Sequence, residues 1–271
     1  MPVINTNVSA LRAQNGSRMA EKDLSTAMAR LSSGKRINSG KDDAAGLAIA
    51  TRMDANIRGF SQAIRNSNDG ISLAQTAEGA LSETSNILVR MRELAVQSAN
   101  GTNAASDRTA LQAEVTQLIS QVGDIATRTN FNGTSLLNSA TTSIAIQTGV
   151  ASGQTVAIAI GDMTATGLGV GTVDLSTAAG ASTALAALDT AINTVATQRA
   201  TLGAAQNRLD STVNNLTSSV TNLAESKSRI QDTDFSVETT KLAAAQILSQ
   251  ASTAMLAQAN QSQQGVMNLL R

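Results

Sequence analysis

The side chains that most often perform chemistry in enzymes are largely missing from this sequence. It contains no His and no Cys, so the usual general base, thiol nucleophile and zinc ligands are absent. The remaining candidates are two groups of carboxylates, Asp42-Asp43 and Asp232-Thr233-Asp234, which could hold a metal ion. No third ligand cluster is near them, and each group lies at a predicted helix boundary, where carboxylates act as caps. We therefore predict capping residues and no enzymatic activity, metal or cofactor.

A second set of polar residues recurs at positions that are otherwise apolar. Arg199, Gln206 and Lys227 lie on one long seam, and Glu78 and Arg92 lie on another. Such residues could mark a buried binding site. They could also fix which residues of two packed helices face each other, a common role of polar groups in coiled coils. We favour the second interpretation, which requires two long helices in contact.

The stronger seam runs from Leu185 to Ile230. Its steps alternate three and four, which is the a/d pattern of a left-handed coiled coil. At about 1.5 Å per residue, the helix would be about 69 Å long, and its apolar stripe needs a partner. The seam residues are Leu185, Leu188, Ile192, Val195, Arg199, Leu202, Gln206, Leu209, Val213, Leu216, Val220, Leu223, Lys227 and Ile230.

The predicted partner is a similar but more polar seam from Met53 to Ala95. A third, shorter seam from Leu111 to Ile125 follows it. Weaker helices are predicted over residues 3–34, ending at Gly34, and from about residue 235 to the end. Their main apolar positions are Ile4, Val8, Leu11, Leu24, Met28, Leu31, Leu242, Ala245, Leu248, Ala251, Met255, Val266 and Leu269.

Residues 131–182 have a different character, with many Gly, Ser and Thr residues and no Lys or Arg. Residues 143–147 and 155–160 alternate with period two on either side of Gly149 to Gly153, which predicts a β-hairpin. The order of elements is palindromic. We predict a mainly α fold, an out-and-back rod of long antiparallel coiled-coil helices with a small β-hairpin region at its tip and paired terminal helices at its base. The predicted domains are 1–42 plus 231–271, 43–135 plus 183–230, and 136–182.

Composition narrows the possible functions. The net charge is zero and no basic stripe occurs, which argues against nucleic-acid binding. Low self-repulsion suits close packing of many copies. Only 1% of the residues are aromatic, which favours thin helical rods over a conventional globular core. No apolar run is long enough to span a membrane, and the first five residues predict no cleaved secretory signal.

Several motifs resemble those of bacterial flagellin, the subunit of the flagellar filament. The resemblance covers about residues 1–135 and 183–271, and the short middle lacks the large outer domains of longer flagellins. Ser236 and the ending 262–269 depart slightly from the family pattern. The motifs are INTN at residues 4–7, LSSGKRIN at 31–38, DDAAGLAI at 42–49, RELAVQ at 92–97, NFNG at 130–133, GAAQNRL at 203–209, SRIQDTDF at 228–235 and AQANQ at 257–261.

The resemblance implies an extracellular, secreted structural protein that polymerises head to tail into the filament for motility. It implies terminal helices that form an inner core and become ordered on assembly. It also implies unfolded export through the flagellar type III apparatus, with an export chaperone and the hook-junction and cap proteins as partners. The alternative is a coiled-coil signalling or scaffold protein, which would share the heptads but would not explain the hairpin or the terminal motifs.

The resemblance further implies recognition by Toll-like receptor 5. The matching patch consists of Val89, Arg90, Met91, Arg92, Glu93, Leu94, Ala95, Val96 and Glu114. The same residues could instead serve packing between subunits along the filament, and the two roles are compatible. The Ser- and Thr-rich stretch 139–183 could carry O-linked sugars, as in some family members, or be a solvated loop.

Overall fold

The computed structural model describes residues 6–138 and 143–268, with side chains described up to residue 265. Within these ranges the predicted mainly helical fold is confirmed, with five helices and two small antiparallel hairpins. The helices are α1 Val8–Ser33, α2 Ala44–Ala99, α3 Ala105–Arg128, α4 Ala178–Gln231 and α5 Phe235–Asn268. The strands are β1 Asn130–Phe131, β2 Thr134–Ser135, β3 Ile144–Gln147 and β4 Thr155–Ile158. None of the described helices is long and apolar enough to cross a membrane.

The carboxylates that could have been metal ligands lie at helix ends. The Asp43 carboxylate accepts a hydrogen bond from the Gly46 N–H at 2.8 Å, at the start of α2. Asp234 accepts one from the Ser236 N–H at 2.9 Å, at the start of α5. Gly34 ends α1 with a left-handed φ of 69°, as predicted. The sequence interpretation of these acidic residues as caps is therefore confirmed at Asp43 and Asp234.

Two compact units make up the chain. Unit 1 comprises Met1–Ala55 and Asn222–Arg271, and unit 2 comprises Asn56–Thr221. In unit 2, portions of α2, α3 and α4 enclose one apolar core together with the segment between α3 and α4. Its largest fully buried side chains are Leu81, Leu88, Met91, Leu94, Leu136, Leu137, Ile158, Leu175, Leu188, Leu202 and Leu209.

Polar seam residues pair across α2 and α4 in unit 2, where the two helices run antiparallel. Arg92 donates a hydrogen bond to Asp189 at 2.6 Å. Glu78 accepts one from Gln206 at 3.0 Å and lies 3.8 Å from Arg199. Such half-exposed ion pairs add little stability, but a shift of one helix along the other would break them all. The pairing therefore supports the interpretation that these residues fix which residues of α2 and α4 face each other.

The β3–β4 hairpin lies alongside α2, which corrects the prediction that it sits at the tip of the long helices. The Asn66 side chain donates a hydrogen bond to the Gln147 carbonyl at 3.1 Å. At Gly59 an added Cβ would come within 2.5 Å of a Val150 methyl group, and at Gly70 it would lie 3.0 Å from the Ile146 side chain of β3. Glycines on the surface of α2 thus make room for the hairpin to pack lengthwise.

In unit 1, α1 and α5 pack against each other in antiparallel orientation, and the segments that join them to the long helices also pair. The Arg36 N–H donates a hydrogen bond to the Gln231 carbonyl at 2.7 Å. Lys227, a polar seam residue of α4, forms an ion pair with Asp54 of α2. The segment between α1 and α2 and the segment between α4 and α5 therefore form one joint.

Candidate interaction surfaces

The first candidate surface lies on α2 and α3 in unit 2, and burial divides its predicted residues into two groups. Met91, Leu94 and Ala95 are 0%, 1% and 0% exposed, so they pack in the apolar core. The exposed members are Val89, Arg90, Arg92, Glu93, Val96 and Glu114. A protein partner of the folded unit would therefore contact the exposed group, while Met91, Leu94 and Ala95 hold the helix in place.

Arg90 is the centre of this surface. Its guanidinium donates to the Glu114 carboxylate at 2.9 and 3.1 Å and to the Glu93 carboxylate at 3.1 Å. These hydrogen bonds, chiefly those to Glu114, raise the pKa of the Arg90 guanidinium above its ordinary value, so it stays charged. Glu114 is distant in sequence, and the fold brings it beside Arg90. The result is a compact cluster of one cation and two anions on an exposed face.

Arg92 belongs to a different side of the same helix. It donates to Asp189 of α4, and this hydrogen bond raises the pKa of its guanidinium. Arg92 therefore faces α4 and takes part in the contact between the two helices. The fold thus gathers Arg90, Glu93 and Glu114 and separates Arg92 from them.

The second candidate surface is the α1–α5 pair in unit 1, whose contact is made mainly by small side chains. Buried or half-buried positions recur at intervals of three and four on both helices. Those of α1 are Ala10, Ala13, Ser17, Ala20, Leu24, Ala27 and Leu31, and those of α5 are Leu242, Ala245, Ser249, Ser252, Leu256 and Ala259. Small residues let the two backbones approach closely, so few large side chains are covered.

Several predicted apolar positions of these helices therefore remain outside their mutual contact. Leu24, Leu31, Leu242 and Ala245 lie in the contact, but the α5 seam continues through Ser249 and Ser252, one residue away from the predicted Leu248 and Ala251. The exposed predicted residues are Val8, Leu11, Met28, Leu248, Ala251 and Met255. Ile4 and Leu269 lie outside the described residues, as does the side chain of Val266.

Four further exposed apolar side chains of α1 and α5 were not among the predicted positions. They are Met19, Phe235, Val237 and Ile247, with exposed fractions from 49% to 68%. These side chains could have been predicted from the three-four spacing of Ala and Ser residues, because small residues occupy the contact when two helices pack closely. Large residues outside that phase are then expected at the surface.

Two grooves run between α1 and α5. One, of about 550 Å³, is lined by Gly16, Ala251, Met255 and neighbouring residues of both helices. The other, of about 360 Å³, is lined by Ala244, Leu248 and a charged cluster. Along one flank of α5, Val237, Ala244, Leu248, Ala251 and Met255 recur at intervals of three, four or seven, so they share a face.

The charged cluster centres on Glu238, whose side chain is only 5% exposed. Arg30 of α1 lies 3.6 Å from the Glu238 carboxylate, and Lys241 donates to it at 3.2 Å. A nearly buried carboxylate needs such partners, since an unpaired buried charge is costly. This cluster therefore ties the start of α5 to the end of α1.

Comparison with known proteins gives one family at both ends of the chain. The family described as "Bacterial flagellin N-terminal helical region" matches residues 4–142, and "Bacterial flagellin C-terminal helical region" matches residues 185–270.

Individual relatives agree with these matches. A flagellin of Xenorhabdus nematophila is 54% identical over 159 residues, covering 59% of this chain and 51% of that protein. Polar flagellin F of Vibrio parahaemolyticus is 52% identical over 168 residues, covering 62% of this chain and 45% of that protein. The crystal structure of Bacillus cereus flagellin is 43% identical, with a TM-score of 0.52, and covers 60% of this chain and 94% of that one. The matched part spans about half the length of the two curated relatives or less.

Proposed function

Because the chain belongs to the bacterial flagellin family, we propose that it is a structural subunit that polymerises head to tail into a flagellar filament outside the cell. Flagellins are structural proteins and not enzymes. A head-to-tail contact that does not close on itself generates an open helical polymer. We further propose that residues 1–42 with 231–271 form the inner core of the filament, that 43–135 with 183–230 form the rod around it, and that 136–182 face outward.

One observation carries this proposal most directly: the terminal helices expose large apolar side chains and bury small ones. Leu248 and Met255 of α5 are 57% and 63% exposed, and Leu11 and Met28 of α1 are 52% and 57% exposed. Exposed apolar side chains grouped on one element are typical of interaction surfaces. Neighbouring copies of the same chain would cover them in a filament.

The same observation supports ordering of the terminal helices on assembly. The contact between α1 and α5 buries few large side chains, so an isolated pair gains little from packing, and separate helices are marginal in water. Ordering such segments costs conformational entropy, which buried interface offsets in the polymer. Hydrogen exchange on monomer and filament tests this. Strong protection of residues 5–30 already in the monomer would contradict it.

Polymerisation itself is tested by electron microscopy of purified protein under polymerising conditions. We expect long helical filaments, whereas a signalling or scaffold coiled coil would give isolated rods. Leu248→Asn replaces an exposed apolar group with a polar one of similar size and should prevent filament formation with little effect on the monomer. Leu248→Met keeps the position apolar and should polymerise normally. Equal polymerisation of both variants would show that Leu248 is not part of the assembly surface.

Delivery of the subunit to the outside of the cell follows from the same family. We propose unfolded export through the flagellar type III apparatus with an export chaperone, and contacts with the hook-junction and cap proteins. Secretion in a strain that lacks the export apparatus provides the test. Undiminished release of the protein from such a strain would contradict this route.

We also propose that the Arg90 cluster binds Toll-like receptor 5. The supporting observation is that the fold places Glu114 beside Arg90 and Glu93, so the separate sequence matches join into one exposed surface. Charged groups arranged in this way suit a complementary protein surface. The alternative, contact between subunits along the filament, uses the same residues.

A reporter-cell assay with monomeric protein separates these roles when it is combined with polymerisation. Arg90→Ala should weaken receptor activation if the cluster is bound by the receptor. Arg128→Ala is the matched control, because Arg128 is an exposed residue of α3 that forms an ion pair with Asp124, one turn earlier in the same helix. Loss of polymerisation in Arg90→Ala would add an intersubunit role. Unchanged receptor activation in this variant would contradict the receptor proposal.

A further inference from the structure

We infer that Met19, Met28 and Met255 form an oxidation-sensitive set, and that their conversion to sulfoxides by a peroxide-class oxidant blocks polymerisation of the subunit. This inference rests on the proposed filament function. It concerns the free monomer before assembly, when these three side chains are accessible.

Composition makes methionine the principal target of such an oxidant. The chain contains eight Met residues and no Cys, Trp, Tyr or His. The side chains that most often compete with methionine for a two-electron oxidant are therefore missing, above all the thiol of cysteine. Any peroxide that reaches this protein is expected to react mainly at thioether sulfur.

The fold then divides the methionines by accessibility. Met19, Met28 and Met255 are 68%, 57% and 63% exposed, and all three lie on the terminal helices α1 and α5. Met91 and Met163 are 0% and 3% exposed in the core of unit 2. Since oxidation follows exposure, a brief exposure to peroxide should modify the terminal helices and spare the unit 2 core. The remaining methionines are Met53, which is half-buried, and Met1 and Met267, whose side chains lie outside the described part of the chain.

The chemistry at each exposed site is a two-electron oxygen transfer. The thioether sulfur attacks one peroxide oxygen, the O–O bond breaks and an S–O bond forms. With hydrogen peroxide, the sulfur is oxidised to the sulfoxide, the peroxide is reduced, and the remaining oxygen leaves as water after proton transfer. The product is a polar side chain in place of a flexible apolar one.

The position of these residues determines the consequence. Met255 shares the apolar flank of α5 with Leu248 and Ala251 and lines the groove against α1. A sulfoxide there leaves the monomer little changed, because the side chain is already in water. In the filament, a neighbouring subunit would cover it and leave a strong acceptor without a donor. We therefore expect each sulfoxide to raise the critical concentration for polymerisation by about tenfold.

The timing follows from the same geometry. In the proposed filament, neighbouring copies would cover the three methionines, so oxidation of intact filaments should be slower at these positions than oxidation of monomers. Methionine sulfoxide is reduced enzymatically by methionine sulfoxide reductases. The modification is thus a reversible block on assembly that acts on unassembled subunits.

The experiment treats purified full-length monomer briefly with hydrogen peroxide, maps sulfoxides by peptide mass spectrometry and then starts polymerisation. We expect oxidation at Met19, Met28 and Met255 before Met91 and Met163, with sulfoxides enriched in the soluble fraction and depleted in sedimented filaments. Treatment with methionine sulfoxide reductases should restore polymerisation. Equal sulfoxide content in the soluble and sedimented fractions would overturn the inference, even if no variant is made.

A variant that replaces Met19, Met28 and Met255 by Leu provides the matched control, since leucine is similar in size and has no sulfur. It should polymerise without treatment and resist peroxide. Peroxide sensitivity equal to that of the unmodified sequence would overturn the inference by assigning the effect to other methionines. Failure of the untreated natural sequence to polymerise would instead count against the filament function, so the two failures are distinguishable.

Discussion

Gln112 of α3 accepts a hydrogen bond from the backbone N–H of Leu175 at 2.6 Å. The same side-chain amide donates to the Val173 carbonyl at 3.2 Å. One glutamine thus pairs with an extended segment as a neighbouring strand would. Gln198 of α4 pairs in the same way with the segment after β4. Its side-chain amide donates to the Ala159 carbonyl at 2.7 Å and accepts from the Gly161 N–H at 3.3 Å. These helices use amide side chains to hold irregular backbone on the bundle.

Replacing Gln112 by Leu should destabilise unit 2. Leu175 is fully buried and Val173 is nearly so, hence their N–H and C=O groups would lose partners away from water. We expect a loss of about 2 kcal/mol in the free energy of unfolding, measured by urea denaturation. Gln117→Leu changes an exposed glutamine of the same helix and should be almost neutral. Equal effects in the two variants would show that the backbone pairing contributes nothing.

Two glycines of α2 should respond oppositely to alanine. At Gly79 an added Cβ meets nothing within 4 Å, so Gly79→Ala should stabilise by about 1 kcal/mol through helix propensity. At Gly70 the Cβ would lie 3.0 Å from Ile146 and 3.2 Å from Leu209. Crowding against the hairpin should cancel or reverse the gain there, leaving the two variants about 1–2 kcal/mol apart. Thermal unfolding measures the difference, and equal stabilisation would mean that the hairpin moves away freely.

Periodicity predicted the long helices well because each is amphipathic over many turns. The three-four spacing of Leu185 to Ile230 identifies α4, and the pairing of Arg92 with Asp189 fits the predicted antiparallel arrangement of the two long helices. The hairpin was predicted, but its predicted position at the tip was wrong, because its close approach to Gly59 depends on residues far apart in sequence. The β1–β2 hairpin was missed, although Asn132 and Gly133, with φ of 50° and 81°, form a typical two-residue turn.

The candidate surfaces show a similar division. Motif matches selected Arg90 and Glu114 separately, and only the fold shows that they touch. A linear motif contains no information about burial, so it also included Leu94, which packs in the core. In the terminal helices, large apolar residues such as Leu248 were predicted to lie in the contact between the helices. Because the two backbones approach closely, the contact positions are instead occupied mainly by Ala and Ser. Hydrophobic size alone therefore gives the wrong heptad phase when helices pack on small residues.

The Asp42 carboxylate should titrate at unusually low pH. It accepts hydrogen bonds from the backbone N–H groups of Asn38 and Ser39 and from the Ser39 hydroxyl, and these donors lower its pKa below the ordinary 3.8. A depressed folded-state pKa means that the stabilisation is complete above the unfolded value and is lost as pH falls through the folded one. Carboxyl-carbon NMR titration measures this directly. Ser39→Ala removes one donor and should raise the pKa. A wild-type value at or above 3.8 would contradict the prediction.

Arg30 and Glu238 should matter in the filament more than in the monomer. If α1 and α5 order on assembly, their contact contributes to the polymer and not to the isolated subunit. Arg30→Ala leaves the nearly buried Glu238 with Lys241 as its remaining cationic partner, so we expect filaments to be weaker by about 1–3 kcal/mol per subunit. Filament dissociation on heating should therefore occur at lower temperature, while the unfolding midpoint of the monomer, which reports on unit 2, should not change. Arg30→Lys retains a cation and should lose less. A clear drop in the monomer midpoint of Arg30→Ala would show that the α1–α5 pair is already formed before assembly.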